Sequence, residues 1–224
     1  MAKRKLQRFA EISTFRNVLQ PPMTYPEADH PLKGRWREDF FGNPSPIVLE
    51  LGCGRGEYTV GLARKYPNKN FIGIDIKGAR LWRGAKTCVE ENISNAGFLR
   101  IHIGRIGRHF AENEVDEIWI TFPDPQPQLS RERKRLTAPA FLERYRSVLK
   151  KGGIIHLKTD NKGLYEYTLE VISAASHTIH FHTSDLYDGA MQDEILSIKT
   201  TYEERFLKMG MPIHYIQFSL SESA

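Results

Sequence analysis

The chain has few cysteines and no long hydrophobic run. Cys53 and Cys88 are its only cysteines, one in a glycine-rich stretch and one in a predicted helix, so a disulfide framework is not expected. No apolar run approaches the roughly 20 residues that cross a bilayer, and none follows the basic amino terminus as a secretory signal requires. The eight histidines are scattered and suggest no metal site. We therefore predict a protein of a reducing, cytoplasmic compartment that binds no metal and no membrane.

Acidic residues are scarce in two segments of this basic chain, which has a net charge of +5. Between residues 128 and 151, eight basic residues stand against Glu132 and Glu143. In the first twenty residues, Glu11 is the only acidic residue beside five basic ones: Lys3, Arg4, Lys5, Arg8 and Arg16. Such clustering suits a polyanionic partner such as a nucleic acid.

The pattern of the chain changes near residue 46. Residues 1–45 are basic and then rich in proline, and we interpret them as an extended or partly helical arm that is mobile without its partner. Residues 46–224 alternate apolar runs with amphipathic stretches, which predicts one α/β domain with a Rossmann-like, doubly wound, mostly parallel sheet and a closing antiparallel strand. The predicted strands are Ile47–Leu51, Asn70–Ile76, Leu99–Ile103, Glu117–Phe122, Ile154–Lys158 and His214–Leu220. The predicted helices lie near 57–66, 78–94, 138–150 and 163–175, with a weaker one near 106–112.

A glycine-rich loop follows the first predicted strand. Gly52, Gly54 and Gly56 let the backbone turn sharply and approach a ligand closely. Their spacing is G-x-G-x-G, and Glu57 takes the position of the third glycine in the dinucleotide fingerprint G-x-G-x-x-G. A carboxylate at that position would repel a pyrophosphate. The loop therefore favours a nucleoside ligand without a diphosphate and disfavours an NAD-dependent oxidoreductase.

Two acidic residues accompany this loop at the carboxyl ends of strands. Asp75 ends the second strand, where a carboxylate can accept hydrogen bonds from both ribose hydroxyls. Glu50 ends the first strand, and its charge suits a cationic ligand. S-adenosylmethionine fits these features best, because it carries an adenosine ribose and a sulfonium cation but no phosphate.

A proline-bracketed carboxylate and a basic run follow the fourth strand. Asp124 lies between Pro123 and Pro125, which restrict the local backbone. Ligands of doubly wound sheets bind outside the carboxyl ends of the strands, so we expect Asp124 to face the reactive end of the cofactor. The basic run Arg131–Arg135 is suited to phosphate recognition, and we predict Arg133, Lys134 and Arg135 as RNA contacts.

These features together resemble the single-chain bacterial tRNA (guanine-N7)-methyltransferases, from about residue 46 to residue 220. Five segments carry the resemblance in the same order, which makes it specific. They are the loop Leu49–Gly56, the strand end Gly73–Asp75, the signature Phe122–Pro125 with Arg133–Leu136, the strand end His156–Asn161, and the carboxy-terminal motif Thr200–Phe206.

The resemblance implies methylation of N7 of the variable-loop guanine, position 46 of tRNA, with S-adenosylmethionine as donor. It implies Asp124 as the active-site residue, and it implies cofactor contacts by Glu50, Asp75 and the loop glycines. It further implies that Asp160 and the segment Thr200, Thr201, Tyr202 and Glu203 contact the substrate.

Two positions depart from the family pattern. The family has Asp-Pro-Trp-x-Lys, whereas this chain has Gln126 and Gln128 in place of the tryptophan and the lysine. Arg105 stands where the family carries an aspartate for the adenine. Two other readings of the chain stay open beside the tRNA methyltransferase: a small-molecule methyltransferase, and a non-catalytic RNA-binding protein that retains the fold. Both a monomer and a homodimer also remain open.

Overall fold

A computed structural model describes residues 2–22, 28–188, 196 and 198–221. Within these residues the strands form one eight-stranded sheet of order β1-β4-β3-β2-β5-β6-β8-β7. All neighbouring strands are parallel except β8, which runs antiparallel to β6 and β7. The strands are β1 (Val18–Leu19), β2 (Ile47–Leu51), β3 (Asn70–Ile74), β4 (Ala96–Leu99), β5 (Val115–Thr121), β6 (Leu149–Thr159), β7 (Thr178–Thr183) and β8 (His214–Ser219). The mostly parallel sheet with a closing antiparallel strand confirms the predicted fold class.

Helices link the strands and cover the sheet. They are α1 (Ala2–Ile12), α2 (Glu57–Lys65), α3 (Gly78–Glu90), α4 (Pro139–Arg146), α5 (Lys162–Ala174) and α6 (Thr201–Lys208). Every residue of β2 and β3 is buried, as expected for strands covered on both faces. The helices predicted near 57–66, 78–94, 138–150 and 163–175 are present as α2 to α5, whereas the one predicted near 106–112 is wrong, because a 3₁₀ helix, Ile103–Arg108, lies there instead.

The structure corrects the third predicted strand. It ends at Leu99, and the apolar residues that follow belong to a turn and to a 3₁₀ helix, Ile103–Arg108. His102 precedes this helix, and its ring accepts a hydrogen bond from the amide of Gly104 at 3.2 Å. This local cap competes with strand pairing, so the prediction of a strand over Leu99–Ile103 is wrong in its bounds.

The described residues before position 46 pack against the domain. Strand β1 extends the sheet beside β4, and Trp36 is buried in the core. Glu11 of α1 accepts hydrogen bonds from Trp82 and Lys86 of α3, each at 2.7 Å. The helix α1 agrees with a partly helical segment. The domain boundary at residue 45 and the mobility of the segment without its partner stay predictions. Residues 23–27 lie outside the described residues, as do the side chains of residues 1–5.

Over the part of the chain that the structure describes, no helix combines the length and the hydrophobicity needed to span a membrane. The same residues hold no group of three or more His, Cys, Asp or Glu side chains placed to bind a metal ion.

Candidate active site

Two adjoining clefts lie at the carboxyl ends of the central strands. One has a volume of about 380 Å³, the other about 610 Å³, and Gly52 lines both. We call them the inner cleft and the outer cleft. The inner cleft is lined by Glu50, Gly52, Cys53, Gly54, Arg55, Glu57, Lys77, Arg80, Thr121, Phe122, Pro123, Asp124, Pro125, Asp160, Thr200, Tyr202 and Phe206. The outer cleft is lined by Gly52, Asp75, Ile76, Ile101, His102, Ile103, Gly104, Gln126, Arg133, Lys134, Leu136, Ala140, Phe141 and Arg144.

The glycine loop forms the junction of the two clefts. Gly52 and Gly54 adopt φ angles of +77° and +55°, a region that side chains disfavour. Gly56 also allows close packing, because a Cβ built there would lie 2.4 Å from the ring of Phe98 and 3.3 Å from Cα of Gly84. The close packing of α2 on α3 thus depends on Gly56. Glu57 lies one residue further on and points to α6.

Glu50 is buried in the wall of the inner cleft. Its carboxylate accepts hydrogen bonds from the hydroxyl of Thr121 at 2.6 Å, from the amide of Thr59 at 2.8 Å, and from the hydroxyl of Thr59. Burial raises its pKa to about 7, although these hydrogen bonds oppose the shift. A cation in the cleft would favour the ionised form. The position of Glu50 is therefore suited to a positively charged ligand.

Asp75 lies in the outer cleft, where both of its oxygens are held by backbone amides. Oδ2 accepts from Gly54 at 3.0 Å and Oδ1 accepts from Lys77 at 2.8 Å. Each carboxylate oxygen retains a second lone pair that can accept from a ribose hydroxyl. The neighbouring Ile76 leaves 42% of its surface exposed, an apolar surface beside this polar group.

Arg105, which stands where the family carries an aspartate for the adenine, lies outside both clefts. Arg105 instead lines a separate cavity with residues of the amino-terminal segment. The outer cleft is bordered at this point by His102, Ile103 and Gly104. Sequence reasoning did not identify these three residues, because the strand was expected to continue to Ile103.

Asp124 is exposed at the mouth of the inner cleft in a constrained turn. Phe122 and Gln126, on either side of the Pro-Asp-Pro segment, adopt φ angles of +47° and +44°. The amide of Gln126 donates to Oδ1 of Asp124 at 3.1 Å, and Oδ2 accepts no hydrogen bond from any residue that the structure describes. Non-glycine residues in this backbone region cost free energy and tend to occur at functional sites. The turn thus fixes one carboxylate in the cleft with one oxygen available.

Asp160 and part of the carboxy-terminal motif form another wall of the inner cleft. Asp160 follows β6, and partial burial raises the pKa of its carboxyl. Thr200 caps α6, since its hydroxyl accepts from the amide of Glu203 at 3.1 Å. Tyr202 is 50% exposed and lines the same cleft. Asp124, Asp160, Thr200 and Tyr202 therefore meet although they are far apart in the sequence.

Two residues of the predicted substrate motif point away from this cleft. The amide and hydroxyl of Thr201 donate to Glu57 at 2.7 and 2.5 Å. Glu203 is fully buried and forms an ion pair with Lys158 at 2.7 Å, and it also accepts a hydrogen bond from Tyr187 at 2.7 Å. In this arrangement neither residue lines the cleft. Lys158, a buried lysine within an apolar strand, is a functional candidate that sequence reasoning did not single out.

The basic run divides into exposed and buried members. Arg133 and Lys134 are exposed and line the outer cleft together with Arg144. Arg135 is buried, stacks over the ring of Tyr167 at 4.2 Å, and approaches the carbonyl of Gln126 at 3.4 Å. Arg135 therefore supports the turn that holds Asp124, and its guanidinium is not turned to solvent.

The two clefts fit S-adenosylmethionine in their chemistry. The outer cleft offers a ribose acceptor, Asp75, beside apolar side chains, and the inner cleft offers the buried carboxylate of Glu50. Gly52 has room for a ligand above it, because a Cβ built there would meet only the Leu136 side chain at 3.7 Å. The residues present therefore match a ligand that carries an adenosine at one end and a cation at the other.

Comparisons with known proteins agree with this chemistry. A family model described as "Putative methyltransferase" matches residues 44–216. A tRNA (guanine-N(7)-)-methyltransferase of Christiangramia forsetii is 52% identical, over 98% of this chain and 99% of its own length. One of Porphyromonas gingivalis, with the same name, is 53% identical over 94% of this chain and 87% of its own length.

Solved structures show the same fold at low sequence identity. The crystal structure of the 16S rRNA methyltransferase KamB has a TM-score of 0.61 and 13% identity, over 84% of this chain and 92% of that one. A 16S rRNA adenine methyltransferase from Catenulisporales acidiphilia, solved with SAM, has a TM-score of 0.57 and 13% identity, over 80% of this chain and 88% of that one. The family match and the identities of about one half over nearly the whole chain lead to one conclusion: this chain belongs to the tRNA (guanine-N(7)-)-methyltransferase family.

Proposed function

We propose that this protein transfers a methyl group from S-adenosylmethionine to N7 of a guanine in tRNA, at position 46 of the variable loop. The observation that carries the proposal is the inner cleft, which brings Asp124 and Asp160 to the same space as Glu50 and the glycine loop. A methyl donor held by the loop would then lie beside two carboxylates that can hold a base. The substrate also gives a reason for a cytoplasmic location, which is part of the same proposal.

The cofactor would occupy both clefts. Asp75 would accept hydrogen bonds from the ribose hydroxyls, and Ile76 would cover one side of the adenine. Glu50 would face the cationic end of the molecule, with Gly52 and Gly54 giving the backbone room to approach it. When bound, S-adenosylmethionine supplies an electrophilic methyl group on a sulfonium. The protein's task at this end is to fix that group against the base.

The guanine would lie in the inner cleft. N7 carries a lone pair at neutral pH, so no general base is needed before the attack, and the residues mainly position the ring. A carboxylate such as Asp124 can accept hydrogen bonds from N1–H and from the exocyclic amino group. It also stabilises the positive charge that spreads over the ring during transfer. Asp160 can act in the same way, and Tyr202 offers an exposed aromatic face for stacking.

The base has to leave its tertiary interactions in tRNA to reach this cleft, as base-modifying enzymes commonly require. The exposed Arg133 and Lys134 offer phosphate contacts near the entrance of the outer cleft. Thr201 and Glu203 would serve the substrate indirectly, by holding α6 so that Thr200 and Tyr202 face the base.

A methylation assay tests this proposal. Purified protein is incubated with labelled S-adenosylmethionine and unmodified tRNA, and the methylated base is then mapped. We expect 7-methylguanosine at a single variable-loop position. Methylation of free nucleosides but not of tRNA would instead favour a small-molecule methyltransferase. Binding of tRNA without any binding of S-adenosylmethionine would favour an RNA-binding protein that retains the fold.

The variant Asp124→Ala tests the active-site assignment. We expect it to lose methyl transfer while calorimetry still detects cofactor binding, because Asp124 acts on the base. Glu112→Ala is the matched control, since it removes one exposed carboxylate that lines another cavity. Substantial turnover by Asp124→Ala would contradict the assignment of Asp124.

A further inference from the structure

Three exposed cations line the inner cleft outside the basic run 131–135. Arg55 belongs to the glycine loop, Lys77 immediately precedes α3, and Arg80 lies in the first turn of that helix. They lie outside the two basic segments of the sequence, residues 1–20 and 128–151. The fold gathers them in the cleft that also holds Asp124 and Asp160.

Lys77 and Arg80 differ from their basic neighbours in having no internal partner. On α3, Arg83 pairs with Glu90 at 3.4 Å and Lys86 pairs with Glu11 at 2.7 Å. Within the described residues, the side chains of Lys77 and Arg80 form no ion pair and no hydrogen bond. Lys77 caps the start of α3 and Arg80 lies three residues further on, so their like charges repel each other and an external anion would stabilise this pair.

The charged groups of the cleft suggest which anion this is. Its carboxylates face the cofactor and the base, whereas the phosphates of the target nucleotide and its neighbours carry one negative charge each. The family places a lysine in its signature at the position of Gln128. In this chain Gln128 is exposed and lines neither cleft. Gln128 therefore brings no positive charge to the inner cleft, whereas Lys77 and Arg80 do.

Arg55 connects the inner cleft to a neighbouring groove of about 360 Å³, which it also lines. That groove is bordered by further basic residues, Arg64, Arg83 and Lys199. Arg64 and Arg83 are paired with Glu91 and Glu90, so the groove is less cationic than its composition indicates. Arg55 lies 3.8 Å from Glu57 and is 53% exposed, so it remains accessible to a ligand.

We propose that Lys77 and Arg80, assisted by Arg55, bind RNA phosphates next to the target guanosine at the mouth of the inner cleft. This inference rests on the proposed function. It places a second phosphate-binding surface on the glycine loop and α3, separate from Arg133 and Lys134. The RNA backbone would then be held from two different parts of the fold while the base enters between them.

The test is the salt dependence of tRNA affinity in the double variant Lys77→Ala/Arg80→Ala. Affinity varies with salt concentration to a power of about −0.7 to −0.9 per phosphate contact. Loss of two contacts should lower the slope by about 1.4 to 1.8, which corresponds to roughly 25- to 60-fold weaker binding at 0.1 M salt relative to a 1 M reference. Calorimetry should give an unchanged affinity for S-adenosylmethionine. The conservative variant Lys77→Arg/Arg80→Lys should retain the wild-type slope.

The matched control is Lys150→Ala/Lys151→Ala, which removes two positive charges at the start of β6. These lysines belong to the basic stretch 128–151 of the sequence, but the fold places them in another cavity, with Glu112 and Leu220, at the opposite end of the strand from Asp160. The salt dependence of tRNA affinity in this control variant should equal that of the wild type. An unchanged slope in Lys77→Ala/Arg80→Ala would overturn the inference. If cofactor binding weakened at the same time, the cations would serve the carboxylate of the cofactor instead. Absence of tRNA methylation by the wild type would instead refute the proposed function itself.

Discussion

The buried ion pair between Lys158 and Glu203 yields a prediction about how α6 is held. Both side chains are fully buried, and Nζ of Lys158 lies 2.7 Å from Oε1 of Glu203. Nζ also donates to the carbonyl of Leu196 at 3.2 Å, just before α6. One strand residue thereby fixes both the first turn of α6 and the chain that leads into it. Thr200 and Tyr202, which line the inner cleft, depend on this anchor.

The perturbation is Lys158→Met, which keeps the length and apolar volume of the side chain but removes its charge. Among the described residues, Tyr187 would then be the only remaining partner of the buried Glu203 carboxylate. Breaking a buried ion pair in this way costs about 3–5 kcal/mol. For a chain of this size, 1 kcal/mol shifts Tm by about 2–4 °C, so a loss of about 4 kcal/mol corresponds to roughly 8–16 °C. Burial also lowers the pKa of Lys158, which shows that the fold opposes an unpaired charge here.

The assay combines thermal unfolding with kinetics. We expect Lys158→Met to raise KM for tRNA more than it changes the affinity for S-adenosylmethionine, because α6 lines the inner cleft proposed for the base and not the outer cleft proposed for the adenosine. The double variant Lys158→Met/Glu203→Leu removes both charges and should recover most of the lost stability. The reasoning is refuted if the single variant loses less than about 1 kcal/mol, or if the double variant is no more stable than the single one.

Three further predictions concern the loop, the cofactor cleft and the sheet. The Kd for S-adenosylmethionine should rise about tenfold from pH 8 to pH 6, because Glu50, with a pKa of about 7, loses its charge over this range. Calorimetry on Glu50→Gln should show a weaker affinity that varies little with pH. Burial raises the pKa of Glu117, but His156 and Lys69 outweigh burial and hold the pKa at about 2. The ionised Glu117 therefore stabilises the fold above pH 4.5, and this contribution is lost as the pH falls toward 2. Denaturant unfolding should therefore show Glu117→Gln about 3 kcal/mol less stable at neutral pH, with a difference that vanishes near pH 2. Gly56→Ala should lower stability by about 1–3 kcal/mol in thermal unfolding, since its Cβ would meet Phe98 at 2.4 Å and φ is +70°.

Local signals in the sequence were sufficient to predict the fold class and the position of the glycine loop. Buried parallel strands appear as continuous apolar runs, and a turn with positive φ requires glycine, so β2, β3 and Gly52–Gly56 could be placed without tertiary information. The same reasoning placed Asp75 and Asp124 at strand ends. It failed for the strand after α3, where the apolar residues Ile101 and Ile103 continue past the end of β4 and serve the turn instead.

The direction of each side chain was decided by tertiary structure. Glu203 and Thr201 belong to one motif with Thr200 and Tyr202, yet a buried lysine from β6 turns Glu203 inward and Glu57 holds Thr201.

The basic residues show the same limit of sequence reasoning. Arg135 lies in a run of cations but is buried over Tyr167, whereas Lys77 and Arg80, unremarkable in sequence, reach the inner cleft. Periodicity and turn chemistry are local properties, so the sequence by itself determined the central strands, the helices between them and the glycine loop proposed to bind the cofactor. Which charges face the substrate depends on partners far away in the chain, and only the packed structure brings those partners together.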